Sequence, residues 1–168
     1  LCVNTIDLSS NEIEFISYAS FSGIIHLKTL ILSKNKLESI GDLLNSLNTS
    51  DLAELYLSSN QIIRLNGVKF PSSLTLLDLS KNRLKYIGNC IFTKLTDLML
   101  LDLSSNQIKE ISYQAFEDLT SLKSLNIDKN QLELLNVSFT RLSNLTKLNI
   151  VSNKLSIVHS FLGLKNLI

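Results

Sequence analysis

The side chains able to carry out chemistry are few, and their spacing does not bring them together. His26 and His159 have no cysteine, carboxylate or serine partner at a spacing that recurs. Five glycines form no phosphate-cradling loop, and no cluster has metal-ligand spacing. No enzyme, metal centre or cofactor is therefore expected. What does recur is asparagine, at Asn11, Asn35, Asn60, Asn82, Asn106, Asn130 and Asn153. Its amide offers two donors and an acceptor, so the chemistry that repeats is hydrogen bonding to backbone.

These asparagines stand 24, 25, 22, 24, 24 and 23 residues apart, and each closes a stretch such as LKSLNIDKN at Leu122 to Asn130. Self-similarity at this period marks a solenoid rather than a fold with one central core. Alternation in each stretch predicts a half-buried strand. The inward pairs are Ile6/Leu8, Leu30/Leu32, Leu55/Leu57, Leu77/Leu79, Leu101/Leu103, Leu125/Ile127 and Leu148/Ile150. Strands from successive turns must lie parallel and make one face of the coil. A second apolar pair after each asparagine, such as Ile13/Ile16 or Leu84/Ile87, carries the chain across the floor. A phenylalanine follows at Phe21, Phe70, Phe92 and Phe116, and slightly early at Phe139 and Phe161. One ring per turn predicts a stacked spine. The second unit, at 25 residues the longest, has Asn45 in that place, so its return path is expected to rearrange. The shortest unit, 22 residues, contains Pro71 and should return most tightly. Return segments lack helical periodicity and suit short turns and loops.

The modal unit, LxxLxxLxLxxNxLxxIxxxxFxxL, resembles the typical class of leucine-rich repeat of animal extracellular proteins, including Toll and Toll-like receptor ectodomains and insect leucine-rich repeat proteins. The resemblance covers essentially residues 1–168, as one array of about seven repeats. It implies an α/β solenoid: a right-handed horseshoe with a curved parallel sheet on the concave face and short helical turns and loops on the convex face. It also implies ligand or protein recognition, often coupled to signalling through parts outside this segment. The chain opens two residues into a repeat and stops at Leu164 to Ile168, the start of another, so it reads as the interior of a longer protein without end caps.

Sixteen basic against 15 acidic residues leave a net charge of +1, which argues against a nucleic-acid or membrane surface driven by bulk electrostatics. No apolar run approaches the roughly 20 residues of a membrane span. Cys90, in GNCIF, reads as a small buried residue. Cys2 is either an ordinary buried thiol or the last cysteine of an N-terminal cap, and layers of about 4.8 Å keep it from pairing with Cys90.

Function is expected where the repeats differ, on the outward face of the strands. One outward position reads Asp7, Ile31, Tyr56, Asp78, Asp102, Asn126, Asn149; the one before it reads Thr5, Thr29, Glu54, Leu76, Leu100, Ser124, Lys147. Ile31, Tyr56, Leu76 and Leu100, with Met99 nearby and Glu54, Asp78 and Asp102 around them, compose an apolar, aromatic and acidic group suited to a protein partner or a glycan. The competing reading is that LDLSxN at Asp78 and Asp102 is ordinary repeat wording. The residue before each asparagine alternates Ser10, Lys34, Ser59, Lys81, Ser105, Lys129, Ser152, which keeps like charges apart on a solvated rim or makes an anion-binding rail. Glycosylation acceptors at Asn48, Asn136 and Asn144 lie on return paths and fit an extracellular or cell-surface ectodomain. The alternatives are a cytoplasmic scaffold or microbial effector, and a structural matrix or adhesion protein without signalling.

Overall fold

The computed structural model describes residues 3–47, 51–159 and 161–167. In chain order its elements are β1 (Thr5–Asp7), β2 (Thr29–Ile31), α1 (Gly41–Ser46), β3 (Glu54–Tyr56), β4 (Leu76–Asp78), β5 (Tyr86–Ile87), β6 (Leu100–Asp102), β7 (Glu110–Ile111), β8 (Ser124–Asn126), β9 (Leu134–Leu135), β10 (Lys147–Asn149) and β11 (Ile157–Val158). Seven of the strands, one per turn, form a single parallel sheet in the order β1-β2-β3-β4-β6-β8-β10. The register is constant: Ile6, Leu30, Leu55, Leu77, Leu101, Leu125 and Leu148 stand opposite one another in turn. Differences in unit length are thus absorbed entirely on the return paths.

The inward leucines of β2, β3, β4, β6 and β8 are fully buried, whereas Ile6, Leu8, Leu148 and Ile150 are only half-buried. A solenoid layer is covered by the layers on either side, which accounts for the difference. The floor pairs also find strand partners: β5 lies parallel to β7, and β9 to β11. The phenylalanine spine forms, with ring centroids 6.1 Å apart at Phe70–Phe92 and at Phe92–Phe116, and 5.9 Å at Phe139–Phe161. Phe161 remains 48% exposed.

In the second unit, where asparagine replaces the spine ring, the return path becomes α1. Its N-terminus has no side-chain cap at Ile40, and six residues are too few for a helix to hold itself. Burial of Leu43 and Leu44 holds it, filling the layer the missing ring leaves.

The short unit containing Pro71 lies beside a longer one. The step between them opens a cleft of about 580 Å³ on the return side, lined by Val68, Phe70, Ser72, Asn89, Cys90 and Lys94 among others. Cys90 is exposed there, not buried as expected. Its backbone adopts φ of +61°, a turn geometry that swings the side chain away from the layer occupied by Phe92. Cys2 and Asn48 lie outside the described residues.

Candidate binding face

The ladder positions the face. Asn60 Nδ2 donates to the carbonyl of Leu32 in the preceding turn at 2.9 Å and to its own Leu57 at 3.1 Å, while its Oδ1 accepts from the Leu37 N–H at 3.0 Å. The same three bonds recur at Asn35, Asn82, Asn106, Asn130 and Asn153; Asn106 takes Leu79 O, Leu103 O and Leu84 N. Asn11 bonds to the carbonyls of Leu8 and Ser9 in its own turn. Every ladder asparagine but Asn11 therefore clamps its turn to the one before, and among the described residues no buried side-chain polar atom is left without a partner.

The residue preceding each ladder asparagine has left-handed backbone, with φ between 50° and 58° from Ser10 to Ser152. For a non-glycine residue this costs on the order of 1–2 kcal/mol. It turns the peptide so that its N–H reaches the next repeat, as Lys34 N to Ser58 O at 2.8 Å and Lys81 N to Ser104 O at 2.9 Å. The serine and lysine alternation was legible in the sequence; the backbone duty of the position was not, since neither residue type signals left-handed geometry.

Beyond the strands, the outward row divides into two kinds of residue. Asp7, Asp78 and Asp102 each accept, through Oδ1, the backbone N–H two residues on, at 2.9, 2.9 and 2.8 Å. Asn126 and Asn149 do the same at 3.3 Å. These are Asx turns that close the end of the strand. At Asp7 the hydrogen bonds from the Ser9 side chain and backbone hold the carboxyl below its usual 3.8. Asp102 Oδ2 further accepts from Asn126 Nδ2 at 3.2 Å. The repeated D-x-S and N-x-[DV] spacing is the signal that could have revealed this role in advance.

Ile31 and Tyr56 occupy the same row and cannot make that bond. Two residues on, Ser58 Oγ donates to Ser33 Oγ at 2.9 Å, a link between turns instead of within one. The Tyr56 hydroxyl donates to Glu54 Oε2 at 3.3 Å, and Thr29 Oγ1 donates to the same oxygen at 3.4 Å. Burial pushes the Tyr56 phenol above its usual 10.0, with the charge and hydrogen bond of Glu54 and the charge of Asp78 adding to it.

The structure brings the expected patch together. Ile31 pairs with Tyr56, Glu54 with Leu76, and Leu76 with Leu100 across successive strands. Leu100 is 37% and Met99 42% exposed, while Ile31, Tyr56 and Leu76 are half-buried. Met99 stands at the entry of β6, its N–H donated to Thr75 O. Asp78 and Asp102 face each other in register at the edge of this group. Asn136 and Asn144 are both exposed, but Asn144 Nδ2 donates to Thr120 O at 2.8 Å, tying one return path to the next. Among the described residues, no group of three or more His, Cys, Asp or Glu side chains is placed to hold a metal ion, and no helix is long and apolar enough to cross a membrane.

No curated protein sequence matches the chain. Among solved structures it is similar to the TLR13–ssRNA13 complex, with 30% identity and a TM-score of 0.83 over 98% of this chain and 24% of that one. It is also similar to FLRT2 in the octameric complex with latrophilin 3 and Unc5D, at 25% identity and a TM-score of 0.75, covering 99% of this chain and 59% of that one. Internalin C2 of Listeria monocytogenes shares the fold at 22% identity and a TM-score of 0.75, over 98% and 67% of the two chains. The chain thus spans about a quarter of the TLR13 chain. The leucine rich repeat model matches residues 3–62 and 72–132, most of the sequence, and the chain belongs to the leucine-rich repeat family.

Proposed function

We propose that the chain is the recognition segment of an extracellular or cell-surface protein and binds a protein partner on its concave face. The observation that carries this reading is the break in the outward row. Five of its seven residues serve the strand end, while Ile31 and Tyr56 have given up that bond and stand beside Leu76, Leu100 and Met99. A half-exposed apolar group with a tyrosine at its centre and carboxylates on its rim has the composition of a binding hot spot.

The structural likenesses support recognition in general: the TLR13 structure is a complex with RNA, and FLRT2 is seen in a complex with other proteins. Glu54, Asp78 and Asp102 favour a protein over RNA here, because a phosphate backbone would meet carboxylates. The aliphatic and aromatic surface supports a protein more than a glycan. For the extracellular setting, Asn136 is the better placed of the two described acceptors, since Asn144 already uses its amide between turns.

Screening the purified chain against a panel of secreted ectodomains tests the proposal, with Tyr56→Ser plus Leu76→Ser as the variant. Loss of the partner found, with an unchanged circular dichroism spectrum, is the expected result. Undiminished binding by the variant would place the site elsewhere. A glycosidase mobility shift on protein secreted from animal cells, abolished by Asn136→Gln, tests the setting.

A further inference from the structure

The cleft on the return side arises where two neighbouring units part. The short unit runs from its spine ring, Phe70, to the next inward leucine, Leu74, through Pro71, Ser72 and Ser73 alone. The following unit sets a fully buried leucine on the way, Leu95 between Phe92 and Leu98, and Leu119 repeats it one turn later. In the short unit Ser73 Oγ donates to Leu52 O at 2.7 Å, so no side chain stands in for that leucine. One wall of the resulting cleft is residues 67–72 and the other residues 89–94, around a volume of about 580 Å³. Its apolar surface comes from Phe70, 8% exposed, and from the half-buried Val68 and Ile91, all packed on the core.

Each wall carries one lysine, Lys69 on the first and Lys94 on the second, and both are exposed. No carboxylate lines the cleft. Asp42 of α1, in the turn before, is not part of its walls. Asp118 accepts the Lys94 backbone N–H at 2.8 Å, and with Glu117 it borders a separate, smaller hollow beyond Thr93. The ion pairs found among the described residues are His26–Asp51 and Lys36–Glu12, so neither ammonium at the cleft is paired. Small-ligand sites are concavities of roughly 300–1,000 Å³ with an apolar lining and a few polar groups, and this cleft has that size and composition.

We propose that this cleft binds a small organic anion: a compact aromatic or branched aliphatic body set against Val68, Phe70 and Ile91, with one carboxylate, sulfonate or phosphate held between Lys69 and Lys94. Two ammonium groups on facing walls, with no carboxylate between them, complement a single negative charge and disfavour a cation. The apolar surface between them favours an organic body over a bare inorganic ion. A wall of six residues spans at most roughly 20 Å when fully extended, and 89–94 is wound into turns, so a compact body fits where a long acyl chain does not. The cleft shares no residue with the patch around Tyr56, so the two sites can be tested separately.

Cys90 stands exposed in the wall and supplies the reporter. In a Cys2→Ser background, its alkylation by the neutral reagent iodoacetamide is timed alone, with naphthalene-1-sulfonate, and with naphthalene-1-sulfonamide, the same ring with an uncharged head. At ~1 mM the sulfonate should slow alkylation at least about threefold, the protection given by a site with a Kd of ~0.5 mM or less. The sulfonamide should protect less. Lys69→Gln with Lys94→Gln should lose the sulfonate's protection while the circular dichroism spectrum stays unchanged, each protein being compared with itself in the absence of probe. Equal protection by the two probes, or full protection in the double variant, would overturn the proposal. No protection by the sulfonate would leave the cleft to a side chain of a partner protein, and alkylation that slows as the chain itself is concentrated would give it to a second copy; either result overturns it as well.

Discussion

Two stretches of one register row, equal in backbone geometry, differ in what their side chains do. At Asp78 and Asp102 the outward residue reaches back to the strand end; at Ile31 no polar atom is present to do so, and at Tyr56 the hydroxyl goes to Glu54 instead. Both stretches share the ladder beneath, the leucines within and the left-handed turn beside them. An acidic outward residue in such a repeat is therefore first a turn residue and only secondarily a surface charge. The informative positions are those where the turn bond is absent.

The comparison can be broken at the level the two stretches share. Asn60→Leu and Asn106→Leu each strand a buried backbone N–H and two carbonyls, and each should destabilise the chain by on the order of 3 kcal/mol in denaturant unfolding. Asn60 lies under the first stretch and Asn106 under the second, so unequal losses would show that their scaffolds differ after all. The next effect belongs to one stretch only. Asp102→Ala removes the turn bond to Ser104 N and the link from Asn126, for a loss of about 1–2 kcal/mol, while Tyr56→Ser should cost less because no backbone group depends on it.

The smallest effect concerns protonation. Folding favours the neutral Tyr56 phenol, so that contribution is complete below pH 10 and is lost as pH rises through the raised folded value. Spectrophotometric titration should show the Tyr56 phenol ionising above 10.0, and Glu54→Gln should bring it back towards that value. Folding likewise favours ionised Asp7, whose contribution is present above 3.8 and lost as pH falls through its lowered folded value.

Period and alternation made the coil, its inward leucines, the ladder and the spine legible, because each is a consequence of side chains recurring once per turn. The displaced return path at Asn45 was legible for the same reason, as an interruption of the recurrence. Burial of Cys90 was misread because composition favours a buried thiol while the local turn is set by backbone geometry. The turn role of Asp78 and Asp102 stayed hidden because a hydrogen bond two residues along leaves no trace in hydrophobic pattern.

The most direct test is Tyr56→Asn, which installs at the third turn the side chain that closes the strand at Asn126 and Asn149. Thermal unfolding and partner affinity should be measured on the same preparation. The account predicts a melting temperature equal to or above that of the parent chain, together with a loss of partner affinity of tenfold or more, about 1.4 kcal/mol or greater. Full affinity in a stable Tyr56→Asn variant would contradict it.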